Sequence, residues 1–172
     1  MKLVNLEPDD WQRYSAIRLR ALQTDPEAFF STAEESLKFS EKDWRRRLAI
    51  EDSRTIVASD DAGQDVGLVA ALPYTQSDGE PGDYELVAMW VAPEARRAGL
   101  SKELVRATID ASREFGAKRL VLWVAWGNLK AELLYERFGF KRTGETGKFP
   151  PPRETPEFKM ALKLNKTRPP EN

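Results

Sequence analysis

Cysteine and histidine are both absent from the 172-residue chain. Without cysteine there are no disulfides, no thiolate metal ligands and no cysteine nucleophile. Without histidine, a Ser-His-Asp hydrolase and a histidine-ligated zinc enzyme are excluded, and the usual general base near neutral pH is missing. Any acid–base chemistry must therefore depend on carboxylates, tyrosine, lysine or a relayed water.

Long apolar runs are also missing, since no segment approaches the roughly 18 residues that a membrane span needs. Residues 1–7 (Met-Lys-Leu-Val-Asn-Leu-Glu) lack the apolar stretch and small-residue cleavage site of a signal peptide. With 41% hydrophobic and 32% charged residues, the composition is typical of a globular protein. We expect one cytoplasmic domain over residues 1–172 with no membrane partner, in which residues 165–172 form a mobile tail.

Charge is distributed unevenly along the chain, although the net charge is only −1. Residues 1–92 carry 10 basic and 18 acidic side chains, whereas residues 93–142 carry 11 basic and 6 acidic ones. One interpretation is a solvated surface with chance clustering, and the other is a basic half that binds phosphates and an acidic half that binds a cation. Because exposed aromatic residues are not interleaved with the basic ones, we expect no nucleic-acid partner.

Apolar periodicity predicts a mixed α/β sheet with helices on both of its faces. The predicted strands cover residues 2–6, 54–59, 66–72, 84–92, 119–126, 140–144 and 158–164. The predicted helices cover residues 9–23, a region with a capping signal at 40–43, residues 100–115 and residues 129–138. A hairpin turn is expected at 60–64 and a loop at 74–83, both of which are rich in turn-forming residues.

The most informative segment lies between a predicted strand and a long helix and reads Arg96-Arg97-Ala98-Gly99-Leu100-Ser101. A strand-to-helix turn with a well-placed glycine aims backbone N–H groups at one point on the positive end of the helix dipole. Diphosphate can accept from those groups, and Arg96 and Arg97 add positive charge; an ordinary turn and cap is the alternative. The dinucleotide G-x-G-x-x-G fingerprint and the Gly-Lys-Ser/Thr loop are both absent, which argues against NAD and ATP.

This segment resembles the acetyl-CoA signature of the GNAT superfamily of N-acetyltransferases, Gln/Arg-x-x-Gly-x-Gly/Ala. Arg96 and Gly99 match it, while Ser101 stands where glycine or alanine is usual. Two stretches between residues 126 and 140 are similar to the family's later Asn…Ala…Tyr…Gly-Phe block, and the firm resemblance covers about residues 84–142. It implies the GNAT fold, which is a mixed, largely antiparallel central sheet with helices on both faces and a strand splayed at the acetyl-CoA site.

The resemblance also implies roles for individual residues. Acetyl-CoA would be bound as co-substrate by the strand and the loop, at Met89, Trp90, Val91, Arg96, Arg97, Ala98, Gly99, Leu100 and Ser101. Asn128 would contact the pantetheine arm, and its alternative role is the N-cap of the following helix. Tyr135 would also contact the cofactor and donate a proton to the departing thiolate, because its reference pKa near 10 keeps it protonated; the alternative is a core tyrosine.

Glu85 is the candidate general base, acting directly or through water, and its alternative is an exposed carboxylate at the start of a strand. Phe29, Phe30 and Glu34 lie in the helical region that shapes the acceptor pocket in this family, so they are the predicted substrate-binding residues. No metal is expected.

The function implied by the resemblance is direct transfer of an acetyl group from acetyl-CoA to a primary amine in a ternary complex. A small-molecule acceptor is favoured because Phe29, Phe30 and the prolines at 150–152 suggest bulk around the pocket, and the acidic balance of residues 1–92 leans towards a cationic one. The alternatives are acetylation of a protein at its N-terminus or at a lysine, and an acyl-CoA-binding regulatory module without catalysis. A homodimer is left open.

Overall fold

The computed structural model describes residues 1–149 and 154–164, which form one seven-stranded sheet with helices on both faces. The strands are β1 (Lys2–Leu6), β2 (Arg54–Ser59), β3 (Asp65–Pro73), β4 (Asp83–Val91), β5 (Arg119–Ala125), β6 (Lys141–Lys148) and β7 (Pro156–Lys163). The helices are α1 (Trp11–Thr24), α2 (Ala33–Leu37), α3 (Glu41–Leu48), α4 (Leu100–Glu114) and α5 (Leu129–Glu136). Single 3-10 turns occur at Pro8–Asp10, Pro26–Ala28 and Pro93–Ala95.

The strand order across the sheet is β1-β2-β3-β4-β5-β7-β6. The pairing of β4 with β5 is parallel, whereas the other five pairings in the described chain are antiparallel. A parallel pair needs a crossover connection, and α4 supplies it between these two strands. The mixed, largely antiparallel sheet implied by the resemblance is therefore confirmed.

Helix α4 covers one face of the sheet and packs closely on β3. A Cβ atom placed on Gly67 of β3 would lie 3.0 Å from Leu104 and 3.2 Å from Leu100, so the glycine permits this close approach. Because side chains alternate along a strand, the neighbouring positions Leu68 and Ala70 face the opposite side. Helix α1 packs on β3 there, so the central strands are buried between two helical layers.

The predicted elements are present, with shifts of a few residues at their ends. The helix predicted over 9–23 begins as an α-helix only at Trp11, because Pro8–Asp10 form a 3-10 turn. The second helical region is divided into a 3-10 turn, α2 and α3, and α3 begins at the predicted Ser40 capping box. Within the described chain no helix has the length and apolarity needed to cross a membrane. The predicted tail at 165–172 and the prolines at 150–152 lie outside the described residues.

Candidate functional site

Strands β4 and β5 pair over only three residues each and then separate. The ladder joins Asp83–Glu85 to Arg119–Val121, whereas β4 continues beside β3 to Val91 and β5 continues beside β7 to Ala125. Beyond Glu85, the edge of β4 that faces β5 therefore has no strand partner among the described residues. An extended ligand can pair with the backbone of such an edge as another strand would.

A β-bulge bends β4 beyond this point. The register with β3 passes from Val87 opposite Ala70 to Trp90 opposite Leu68, so β4 contains one extra residue. Ala88 within the bulge has φ 58°, a left-handed conformation that is uncommon for a residue other than glycine. A bulge redirects the side chains of its strand, and Ala88 with the adjacent residue 89 lines the cavity described next.

A cavity of about 830 Å³, the larger cavity, lies where β4 and β5 separate and reaches the face of the sheet covered by α1. Both candidate catalytic residues, Glu85 and Tyr135, line it, and so do Phe29 and Phe30 of the predicted acceptor region. Residues that are more than 100 positions apart in the chain thus meet in one space. Its volume is in the usual range of small-molecule sites.

Glu85 is the last residue of β4 that pairs with β5, and it lies between Leu72 of β3 and Val121 of β5. Burial raises the pKa of its carboxyl to about 7, repulsion from Glu157 adds to the rise, and Lys159 opposes it. The Glu85 carboxyl therefore changes protonation state near neutral pH, where a general base is most effective. This environment differs from the exposed strand-end carboxylate that was the alternative interpretation.

Tyr135 lies on α5 with only 6% of its surface exposed. Its ring packs against Phe140 with the ring centroids 5.7 Å apart. Burial raises the pKa of the Tyr135 hydroxyl above its ordinary value, so the group stays protonated at neutral pH. Tyr135 is thus a core residue that also lines the larger cavity, and both interpretations of its role are compatible with its position.

Asn128 lies at the N-terminus of α5 and caps that helix. Its side-chain Oδ1 accepts a hydrogen bond from the Ala131 backbone N–H at 3.2 Å, so the N-cap interpretation is confirmed. The residue is exposed and also lines the larger cavity, which leaves ligand contact available to it.

The loop before α4 adopts a conformation suited to binding an anion through its backbone. Arg97 and Gly99 both have left-handed backbone angles, with φ 70° and 83°. Gly99 precedes the first residue of α4 and makes no side-chain capping hydrogen bond. The first N–H groups of a helix lack intrahelical acceptors and lie at the positive end of its dipole.

A second hollow of about 280 Å³, the loop hollow, lies at this helix end. Its lining includes Arg97, Gly99 and Ser101 of the predicted loop, together with Lys102, which was not among the predicted residues. Arg97 and Lys102 are both exposed, so they add positive charge at the entrance to the hollow. Backbone donors, a helix end and two cations together fit a diphosphate group.

The side chains of Arg96 and Trp90 are directed to the end of α1. The Arg96 guanidinium donates to Asp25 Oδ2 at 2.5 Å and to the Val91 carbonyl at 3.0 Å. The Trp90 indole N–H donates to the same Asp25 oxygen at 2.7 Å. These bonds tie β4 and the loop to α1, and Arg96 at the same time lines the loop hollow described above.

Three of the predicted residues line neither space, namely Trp90, Glu34 and Ala98. Glu34 is exposed on α2, where it pairs with Lys38 at 3.7 Å, and it does not line the larger cavity. Ala98 does not line the loop hollow, although both of its neighbours do. Phe29 is buried in the larger cavity, whereas Phe30 is 63% exposed at its rim and packs edge-on against Phe149.

Five charged residues that line the larger cavity were not predicted from the sequence, namely Arg18, Glu27, Arg47, Asp78 and Glu157. A signal for Arg18 was present, because it lies four residues after Tyr14 on the apolar face of the first helix. A charged residue at such a position is either paired or functional. Glu157 had no comparable signal, since it reaches the cavity only through the pairing of β7 with β5.

Comparison with known proteins identifies the family. The model of the acetyltransferase (GNAT) family matches residues 13–140, three quarters of the chain. The chain belongs to the GNAT family. The expectation from the residue motifs is thereby confirmed at the level of the family.

Curated GNAT relatives match the chain over part of their own length. Human N-acetyltransferase 8 is 35% identical over 81 residues, which make up 47% of this chain and 36% of that protein. The mycothiol acetyltransferase of Propionibacterium freudenreichii is 29% identical over 140 residues, 81% of this chain and 43% of that protein. The chain thus spans about a third to a half of the length of the curated relatives it matches.

Solved GNAT structures share the whole fold at low sequence identity. A GNAT acetyltransferase from Streptococcus pneumoniae superposes with a TM-score of 0.77 at 18% identity, covering 95% of this chain and 99% of that one. A spermidine N-acetyltransferase from Vibrio cholerae, in complex with CoA and spermine, superposes with a TM-score of 0.73 at 22% identity, covering 96% of each chain.

Within the described residues, no group of three or more acidic side chains is arranged to hold a metal ion.

Proposed function

We propose that the protein transfers the acetyl group of acetyl-CoA to a primary amine of a small molecule, by direct attack within a ternary complex. The observation that carries the proposal is the common location of Glu85 and Tyr135, which both line the cavity at the separation of β4 and β5. Environment shifts the pKa of each group towards its task, since the Glu85 carboxyl can accept a proton near neutral pH and the Tyr135 hydroxyl retains one.

The residues present fit acetyl-CoA, which would supply the reactive thioester. The backbone N–H groups from Arg97 to Ser101 would bind the diphosphate at the start of α4, with Arg97 and Lys102 adding charge. The edge of β4 at Met89 and Val91, which lacks a strand partner, would hydrogen-bond an extended pantetheine arm, although the Val91 carbonyl already accepts from Arg96.

Glu85 and Tyr135 would perform the proton transfers. Glu85 would accept a proton from the acceptor amine, directly or through a water, as the nitrogen attacks the carbonyl carbon. Tyr135 would donate its proton to the departing sulfur, and backbone N–H groups of β4 would stabilise the negative charge that develops on the carbonyl oxygen. Holding both reactants in one cavity contributes a large further share of the rate.

Two observations support a small-molecule amine as the acceptor, namely the size of the cavity and the description of similar structures. A space of about 830 Å³ accommodates a small amine together with the end of a pantetheine arm. The Vibrio cholerae structures are described as a spermidine N-acetyltransferase, which favours a small-molecule amine as the class of acceptor.

The test is thiol release from acetyl-CoA across a panel of amines, amino acids, antibiotics and peptides, followed by initial-rate kinetics on the best acceptor. We expect an N-acetylated small molecule and intersecting double-reciprocal lines, as a ternary complex requires. Parallel lines would indicate a covalent acyl-enzyme, and turnover confined to peptides would move the acceptor to proteins.

A further inference from the structure

Arg18 is the buried polar group that the proposed reaction leaves unexplained. The residue is only 9% exposed, yet its Nη1 atom has no hydrogen-bond partner among the described residues. It lies on the inner face of α1 and lines the larger cavity. Native proteins pair nearly all buried polar groups, so such a guanidinium calls for a partner that comes from outside the chain.

The surroundings of Arg18 hold it in place without neutralising it. Its guanidinium stacks over the Phe29 ring at 4.7 Å, a contact that supplies no hydrogen-bond acceptor. Burial lowers the pKa of Arg18, the interaction with Tyr14 opposes this, and the positive charge of Arg47 lowers the pKa slightly further. Arg47 also lines the cavity, so this part of the wall carries two guanidinium groups.

The carboxylates of the cavity do not pair with Arg18 in the described structure. Glu27 is exposed, and Asp78 is bound to the buried Lys159 at 2.9 Å. Burial and, after it, repulsion from Glu157 raise the pKa of Glu85, and Lys159 is the opposing cation. Acidic groups therefore cluster around β4, β5 and β7, while the basic groups Arg18 and Arg47 lie on α1 and α3.

We propose that the acceptor amine carries a carboxylate, which the Arg18 guanidinium binds where it lines the larger cavity, while the amine lies beside Glu85. This inference rests on the proposed acetyl transfer and specifies its substrate class as free amino acids. The planar fork of a guanidinium matches a carboxylate, and a charge-assisted bond in a buried site is strong. A polyamine would bring further positive charge to Arg18 and supply no acceptor for its guanidinium.

The experiment compares matched acceptors that differ only in the carboxylate. The pairs are lysine with 1,5-diaminopentane, methionine with 3-(methylthio)propylamine and phenylalanine with phenethylamine, each supplemented by the amino acid amide. We expect kcat/KM for the preferred amino acid to exceed that of its amine and amide by about 100-fold, the range of a buried charged hydrogen bond. Equal values within each pair, or a preference for the amines, would overturn the inference while leaving acetyl transfer intact.

Variants at Arg18 locate the effect. In Arg18→Met the aliphatic packing is retained, and we expect the preference within each pair to disappear through loss of activity on the amino acid alone. Arg18→Lys should retain part of the preference, and Arg46→Met, an exposed arginine on α3 paired with Asp43, should retain all of it. A full preference in Arg18→Met would contradict the inference.

Two readouts do not depend on turnover. Calorimetric titration of the CoA-bound protein should detect the amino acid but not its amine, and the signal should be lost in Arg18→Met. If acetyl transfer is absent but this binding pattern holds, the proposed function fails and the carboxylate site stands. The Tm of Arg18→Met should equal or exceed that of the wild type, because an unpaired buried charge is removed; a marked fall in Tm with unchanged preference would make Arg18 purely structural and overturn the inference.

Discussion

The loop hollow and the larger cavity are built in different ways. The loop hollow is lined by residues from one short stretch of the chain, between Val91 and Lys102, and its shape depends on backbone angles at Arg97 and Gly99 and on the start of α4. The larger cavity depends on side chains from several elements, including Arg18 of α1, Glu85 of β4 and Tyr135 of α5. A site that binds its ligand through the backbone can be identified in the sequence from one short motif. Specificity and chemistry depend instead on side chains that come from several segments.

The largest effect that sharpens this comparison is expected for Glu85→Gln. Loss of the base should lower kcat/KM by about 10²- to 10⁴-fold and leave CoA affinity within about twofold. In the wild type, kcat/KM should rise with pH as the Glu85 carboxyl loses its proton, with a midpoint near its pKa of about 7. The measurement is the pH profile of kcat/KM for several acceptors whose amines differ in pKa. The part of the profile that reports Glu85 should stay at the same pH for every acceptor, whereas the part that reports the amine should move. A profile of Glu85→Gln that keeps the first part unchanged would assign the base elsewhere.

Tyr135→Phe should have the next largest effect. Removing the hydroxyl keeps the ring packed against Phe140, so the fold and CoA binding should be retained while kcat falls by about 100-fold. Steady-state kinetics with a parallel measurement of CoA affinity checks this prediction. As a matched control, Tyr84→Phe changes a buried tyrosine that stacks on Phe115 and does not line the larger cavity, so it should retain full turnover. Full turnover in Tyr135→Phe would limit Tyr135 to the core.

Gly99→Val tests the backbone side of the comparison. Gly99 has φ 83°, and the position that a Cβ atom would occupy is surrounded by open space, so the substitution acts through backbone conformation and not through a clash. We expect CoA affinity to fall by about tenfold, and Gly99→Asn, which tolerates left-handed angles, to lose less. Gly63→Val is the control, because Gly63 has φ 81° and equally open space but lies in the β2–β3 turn. A similar loss of CoA affinity in both valine variants would remove the argument for the loop.

The smallest effect is expected for Arg97→Glu. Arg97 is exposed, and solvent screens its charge, so reversal should weaken CoA binding by only about three- to tenfold and more strongly at low salt. Titration with CoA at two ionic strengths measures this. Arg106→Glu makes the same charge change at an exposed position within α4, away from the loop, and should have little effect on CoA binding. Equal losses of CoA affinity in the two variants would indicate an effect of the overall charge of the protein and not a local contact of Arg97.

The sequence predicted the parts that depend on local periodicity and on short motifs. The strand and helix positions, the Asn128 cap and the loop before α4 follow from alternation, helical spacing and turn chemistry, all of which act over a few residues. The bulge at Ala88 could not be predicted, because nothing in an Ala-Met pair signals a left-handed angle. That Arg18 and Glu85 line one cavity depends on the packing of α1 against the sheet, which no local pattern encodes.

The surroundings of individual charged residues could not be predicted from the sequence either. The sequence pointed to Glu85 but not to its raised pKa, which results from burial and from Glu157 on a strand more than 70 residues later. The motif assigned Arg96 to the cofactor as a charge, whereas Asp25 at the end of α1 binds that guanidinium. Long-range partners decide whether a charged residue supports the fold or contacts a ligand.

The central claim is that the separation of β4 and β5 brings the acetyl donor to Glu85 and Tyr135. A crystal structure of the protein with CoA and an amino acid acceptor tests it most directly. The account predicts the diphosphate on the N–H groups of Arg97–Ser101, the pantetheine along the edge of β4 beyond Glu85, and the thiol between Glu85 and Tyr135. A CoA molecule bound elsewhere, or one whose thiol lies away from both residues, would contradict the account.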